Sequence, residues 1–315
     1  MAIEKFSRPP QEMGSNYEKA KVFYGDEDLS KDGAHEKDRV YPTAFITARC
    51  FAEQTTVPHA KELYEIFFRK MGFVKGDKDR EPASIDTPHF MELRYLSSEK
   101  VIREAVEKEN VEQIVELASG FTPHSVSLLT QEPKIQKYIE NDFPVNSKIK
   151  QEVINEFVAG IPVEFIPGNV LDEKTWEKIE KELNDSSVAI FCEGLMMYLS
   201  REAQMTLFNN VKKVLGKRGG FFMHEDILKY HPELRENPRF ARITAALKSV
   251  SASSALDESF TQEEVQKFYE EQDFTVERID EDSPLSIETY PEATRENATE
   301  LSQAGFKMWK LSLAK

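Results

Sequence analysis

Glu193 stands where a side chain could do chemistry. It closes an apolar, partly β-branched run, V-A-I-F-C at 188–192, and Gly194 follows at once. In an open parallel sheet the loops beyond the carboxyl ends of strands form the ligand crevice. A carboxylate there can face a bound small molecule; the plain alternative is a solvated strand end. The run L-M-M-Y-L then leads to Ser200, a helix cap, and Tyr198 within it is either a pocket wall or a catalytic hydroxyl. Gly120 ends Q-I-V-E-L-A-S-G, and a glycine there lets a ligand approach the backbone with no Cβ in the way. Glu140 and Asp142, two residues apart near the end of a second strand, compete for the role acids take at that place, accepting hydrogen bonds from ribose hydroxyls. His124 follows Pro123 at a helix start. His224 ends G-G-F-F-M-H and is a candidate pocket residue or general base. H-E-D with His231 raises the question of a metal, but no H-x-x-x-H or C-x-x-C spacing accompanies it, so none is expected.

The elements that must position these residues follow from periodicity. Residues 1–40 are polar and read as a loosely held arm, and residues 41–73 repeat apolar positions at helical spacing. Ser98 is expected to cap a helix carrying Val101, Ile102, Ala105 and Val106. Strands are expected over Gln113–Gly120, Lys137–Phe143, Pro162–Ile166 and up to Glu193, with helices between them. One helix bears Ile149, Val153 and Phe157; another is capped by Asp172; a third runs from Ser200 to Leu215 and stops at Gly216. This alternation implies βαβ units and a mainly parallel sheet covered on both faces. After residue 227 it lapses, and residues 228–258 read as a helical insertion, a lid above the sheet. Thr261 and Glu264 form a capping box. Phe274–Ile279 and the closing F-K-M-W-K-L-S-L then read as an antiparallel pair at one end of the sheet. The expected division is an N-terminal arm and helical cap over 1–95 and a main domain over 96–315.

Composition narrows the partners. With 315 residues the chain can bury a sizeable core, and its net charge of −15 opposes binding to a nucleic-acid backbone or an anionic membrane surface. There is no apolar signal core and no apolar run long enough to span a bilayer. Two cysteines imply no disulfide framework, so a reducing, cytoplasmic setting is expected.

Several of these residues converge on a family. In order they are Arg94, I-V-E-L-A-S-G-F at 114–121, Y-I-E-N-D-F-P at 138–144, P-G-N-V-L-D at 167–172, E-G-L-M-M-Y-L at 193–199 and a closing W-K-L. The pattern resembles the leucine carboxyl methyltransferases and their bacterial relatives, which include polyketide O-methyltransferases. The resemblance covers roughly residues 41–315. It implies a Rossmann-like class I methyltransferase fold, with a mostly parallel seven-stranded sheet, and S-adenosylmethionine as cofactor. It further implies that Gly120 lies against the cofactor, Asp142 holds the ribose, and Asn169 and Val170 flank the adenine. Glu193 would meet the cofactor's ammonium and Arg94 its carboxylate. Two departures stand out: Ala118 replaces the first glycine of the usual G-x-G, and Asn169 stands where an acid is usual.

The expected reaction is methyl transfer to an oxygen of a small-molecule acceptor or, less readily, a protein C-terminus. A carboxylate acceptor needs no base, whereas a hydroxyl needs one, with His224 first in line. A nicotinamide dehydrogenase would require G-x-G-x-x-G, which A-S-G-F-T-P-H does not supply. A non-catalytic module that keeps the fold is the other alternative.

Overall fold

The computed structural model describes residues 41–70, 88–225, 260–279 and 308–313. The expected arm (1–40) and lid (228–258) lie outside them. Among the described residues seven strands form one sheet in the order β3-β2-β1-β4-β5-β7-β6. These are β1 (Gln113–Leu117), β2 (Lys137–Asp142), β3 (Val163–Pro167), β4 (Val188–Cys192), β5 (Gly220–Glu225), β6 (Phe274–Ile279) and β7 (Met308–Leu313). The first five are parallel to one another; β7 runs antiparallel to both β5 and β6. This is the mainly parallel sheet with an antiparallel pair at one end that the alternation predicts. Every residue of β1 and β4 is buried, as expected for strands covered on both faces.

The helices are α1 (Tyr41–Gln54), α2 (Ala60–Lys70), α3 (Pro88–Lys108), α4 (His124–Gln131), α5 (Pro144–Phe157), α6 (Glu173–Glu182), α7 (Arg201–Arg218) and α8 (Gln262–Glu270). On one face Trp176 of α6, Phe208 of α7 and Tyr269 of α8 pack with Val115, Ile190, Phe222 and Trp309. On the other, Ile102 and Val106 of α3 and Leu128 of α4 pack with Ile114, Tyr138, Phe191 and Met223. Leu63 and Phe67 of α2 join Ile149 and Val153 of α5, which ties the N-terminal helices to the main body.

Local chemistry explains most boundaries. Asp172 accepts from Lys174 N and Ser200 from Ala203 N, each capping its helix as expected. The capping box is present, with Thr261 Oγ1 accepting from Glu264 N and Glu264 Oε2 from Thr261 N. Two expectations need correction. Ser98 caps nothing: α3 begins ten residues earlier, at Pro88, and Ser98 lies buried inside it. The expected division at 95/96 therefore falls within one continuous helix. Nor does α7 stop at Gly216. It runs to Arg218, and Gly219 at φ 73° ends it. A mid-helix glycine costs only about 1 kcal/mol, whereas the left-handed C-terminal position favours glycine outright. Among the described residues no helix is long and apolar enough to cross a membrane. Neither Cys50 nor Cys192 is in a disulfide, and both are buried.

Candidate active site

The strand order reverses between β1 and β4, and it is at the carboxyl ends of strands flanking such a reversal that open α/β sheets place their ligands. Three loops meet there. After β1 the chain turns sharply through Ala118 at φ 51° and Gly120 at φ 50°. Gly120 N donates to Asp142 Oδ2 at 2.7 Å, and Ser119 Oγ donates to Glu140 Oε2 at 3.1 Å. The two acids on β2 thus both hold the β1 loop. Asp142 Oδ1 also accepts from Phe143 N at 2.6 Å and Asn146 Nδ2 at 3.1 Å, so it serves the start of α5 as well. Glu140 is ion-paired with Lys150 Nζ at 2.6 Å, and that lysine also donates to Ser119 O at 3.2 Å. Burial raises the Asp142 pKa, against the pull of these donors.

Ala118 holds a conformation that costs an L-residue roughly 1–2 kcal/mol. Ala118→Gly is therefore expected to stabilise the fold by about 1 kcal/mol, read as a higher urea midpoint with unchanged slope. A lower midpoint would show that the methyl group contributes packing that outweighs the strain.

The β3 loop joins the same edge. Gly168 N donates to Asp142 O at 2.9 Å, and Asn141 Nδ2 donates to Ile166 O at 2.8 Å and Gly168 O at 3.2 Å. Asn169 follows, its Oδ1 accepting from Leu171 N at 3.0 Å. Val170 is held by its carbonyl, which accepts from Trp176 Nε1 at 2.7 Å.

Past β4 lies a buried chain of alternating charges. Glu193 Oε2 accepts from Arg94 Nε at 3.1 Å, and Arg94 Nη1 donates to Glu225 Oε1 at 3.1 Å. Glu193 Oε1 lies 3.0 Å from His124 Nε2, and His124 Nδ1 lies 3.5 Å from Glu99 Oε1. Arg103 closes the chain on Glu99 Oε2 at 2.9 Å. Gly194 makes the junction possible: it sits at φ 65°, its N–H donates to Glu225 Oε1 at 2.9 Å, and a Cβ there would lie 3.2 Å from Arg94 Nη1.

Burial opposes both charges of the His124–Glu193 pair, but their mutual attraction wins. Burial raises the Glu193 pKa, yet His124 and then Arg94 bring it down to about 2. Burial lowers the His124 pKa, yet Glu193 and Glu99 bring it up to about 10. A depressed acid stabilises the fold above its ordinary pKa of 4.5, and that contribution is lost as pH falls through about 2. A raised histidine stabilises below 6.5 and loses its contribution as pH rises through about 10. Glu193→Gln is accordingly expected to flatten the stability profile at both ends, measured as unfolding free energy against pH. An unaltered acid limb would show that Glu193 is not an ion-pair member.

Arg94, Gly120, Asp142, Asn169, Val170 and Glu193 thus lie on the loops at the carboxyl ends of β1 to β4 or on the helix facing them. His224 does not join them. It pairs in register with Cys192 but points to the opposite sheet face from Glu225, buried against Phe222 and Tyr269. Burial lowers its pKa to about 3, so its ring is neutral at pH 7. Tyr198 lies partly exposed in the 3-10 turn Met196–Tyr198 after Gly194.

Sequence reasoning gave no role to His124, Glu225 or Lys150. The signal for His124 was its place four residues after Gly120 at a helix start. Glu225 was legible as an acid ending a strand beside β4. Lys150 carries no signal in the sequence that sets it apart from the other lysines.

A mostly parallel sheet with a glycine turn after β1, acids ending β2 and an acid after β4 defines a Rossmann-like methyltransferase fold. The leucine carboxyl methyltransferase family model matches residues 44–212, more than half of the chain, and the chain belongs to that family of S-adenosylmethionine-dependent methyltransferases. Among solved structures it is similar to a DUF574 family protein from Streptomyces avermitilis, with 13% identity and a TM-score of 0.56 over 87% of this chain and 97% of that one. It is also similar to a Thermobifida fusca protein assigned as a methyltransferase, with 12% identity and a TM-score of 0.54 over 86% and 94% of the two chains. These likenesses concern the fold alone. Among curated proteins none matches.

Proposed function

We propose that the chain transfers a methyl group from S-adenosylmethionine to an oxygen of a small-molecule acceptor, and that the acceptor oxygen belongs to a carboxylate. The observation that carries this reading is that the Arg94–Glu193 and Gly120–Asp142 contacts both lie at the carboxyl ends of the parallel strands, on either side of the reversal in strand order.

The residues suit the cofactor. Among the described residues, Glu140 Oε1 and Asn146 Oδ1 are buried without a hydrogen-bond partner, and Glu140 lies under the Ser119–Gly120 loop. Such acceptors match the hydroxyl donors of a ribose. Asp142, less deeply buried than Glu140, is the acid assigned to the sugar, with the open oxygens of Glu140 and Asn146 close by to take the remaining hydroxyl donors. Glu193 receives the ammonium, and Arg94 receives the carboxylate as a planar donor fork. Asn169 and Val170 flank the adenine. The acids Glu99, Glu116, Glu140, Asp142, Glu193 and Glu225 outnumber the cations Arg94, Arg103, His124 and Lys150. That balance favours a ligand of net positive charge, which S-adenosylmethionine is.

The cofactor's sulfonium makes its methyl group electrophilic, so the protein's tasks are orientation and exclusion of water. An ionised carboxylate needs no proton removed. The burial of His224 on the far sheet face supports that acceptor over a hydroxyl. The test is calorimetric titration with S-adenosylmethionine, followed by a screen of small carboxylic acids, phenols and peptide C-termini with labelled methyl donor. Micromolar cofactor binding and labelling of carboxylic acids are expected. Labelling of phenols alone would overturn the carboxylate assignment, and selective binding of NAD would overturn the whole reading.

A further inference from the structure

Each group assigned to the cofactor's amino-acid end already faces a side chain that carries the ligand's charge. Arg94, the partner proposed for the cofactor's carboxylate, holds two protein carboxylates, Glu193 and Glu225. Glu193, the partner proposed for its ammonium, holds a protein cation on its other oxygen: His124 Nε2, 3.0 Å from Oε1. The histidine is built into that position. Its side chain has no exposed surface, its ring stacks on Tyr95 with centroids 3.9 Å apart and a 9° tilt, and Phe191 meets it edge-on at 5.3 Å. The acids that face it come from three elements: Glu99 from α3, Glu116 from β1 and Glu193 from the loop after β4. Together they outweigh its desolvation and keep the ring charged up to about 10.

We infer that His124 is an internal stand-in for the cofactor's ammonium, a specificity residue that competes as a cation for Glu193 and so sets how tightly amino-acid-bearing nucleosides bind. The inference rests on the reading that Glu193 receives the ammonium. A ligand ammonium arriving at Glu193 meets two cations already there, Arg94 and His124, and like charges at such distances repel. A neutral side chain at position 124 removes one of them. The gain is confined to ligands with an ammonium. A nucleoside that fills the adenine and ribose positions but lacks the amino-acid end gains nothing.

The full chain and its His124→Gln variant are titrated calorimetrically with S-adenosylhomocysteine and with 5′-methylthioadenosine, which lacks the amino-acid end. His124→Asn serves as a second neutral variant should the glutamine not fold. The expected result is S-adenosylhomocysteine binding about tenfold tighter in the variant, with 5′-methylthioadenosine unchanged. The ratio of the two affinities is read within one protein preparation, so a general loosening of the fold does not imitate the effect. Equal changes for both ligands, or weaker binding of S-adenosylhomocysteine alone, would overturn the stand-in role while leaving the adenosyl site in place. Binding of neither ligand to the unmodified chain would overturn the site reading and this inference with it.

Discussion

Arg94→Met is expected to destabilise the fold by about 3–5 kcal/mol and to remove measurable cofactor binding. The arginine side chain is 8% exposed and its partners Glu193 and Glu225 are 3% and 1% exposed, so solvent screens neither pair appreciably. Methionine fills much of the same volume, and the loss therefore reports charge rather than a cavity. It leaves two buried carboxylates with one fewer cation. His124 still faces Glu193, whereas Glu225 retains the Gly194 N–H. Adding Glu225→Gln to Arg94→Met should recover part of the stability, because one uncompensated charge disappears, but should not restore binding. Urea unfolding and calorimetric titration read the two effects separately. A loss under about 1 kcal/mol would mean that water reaches the pair and that the ion chain is a surface feature.

Asp142→Ala is expected to weaken cofactor binding by about 1–3 kcal/mol and to destabilise the free protein by a similar amount. Two roles meet in one carboxylate. On the free protein it accepts from Gly120 N, Phe143 N and Asn146 Nδ2, so its removal leaves backbone donors at the β1 turn and at the start of α5 without an acceptor. In the complex it is the proposed partner of the ribose. Asp142→Asn separates the roles, since an amide oxygen keeps one acceptor while the charge is lost. Unchanged nucleoside affinity in Asp142→Ala, alongside the expected drop in stability, would reassign the sugar to Glu140.

Most of the sheet was legible because its strands are buried runs bounded by turn residues. V-A-I-F-C is apolar throughout and ends at an acid and a glycine, and the observed strand stops at Cys192. The β6–β7 pair was legible from alternation in M-W-K-L-S-L and from prolines in the connection that precede it. The start of α3 was not. Its register buries Glu92, Arg94, Ser97, Ser98 and Glu99, polar residues that interrupt any apolar stripe. The same residues explain what the site reading missed. Single candidate positions such as Glu193 and Asp142 announce themselves at strand ends. A network such as Glu99–His124–Glu193–Arg94–Glu225 joins five residues from four distant segments and depends on side-chain geometry that spacing does not encode. His224 stands apart from this network by the simplest rule of strands. Adjacent residues point to opposite faces, and its neighbour Glu225 took the side where Arg94 lies.

Residues 220–225 are flanked by β4 on one side and by residues 308–313 on the other, so β5 finds its second neighbour only after the intervening chain has been synthesised. While translation proceeds, a half-made polypeptide displays Phe221, Met223 and their unpaired amides as a sticky border ready to recruit another copy. The sheet is therefore complete only once β7 has arrived.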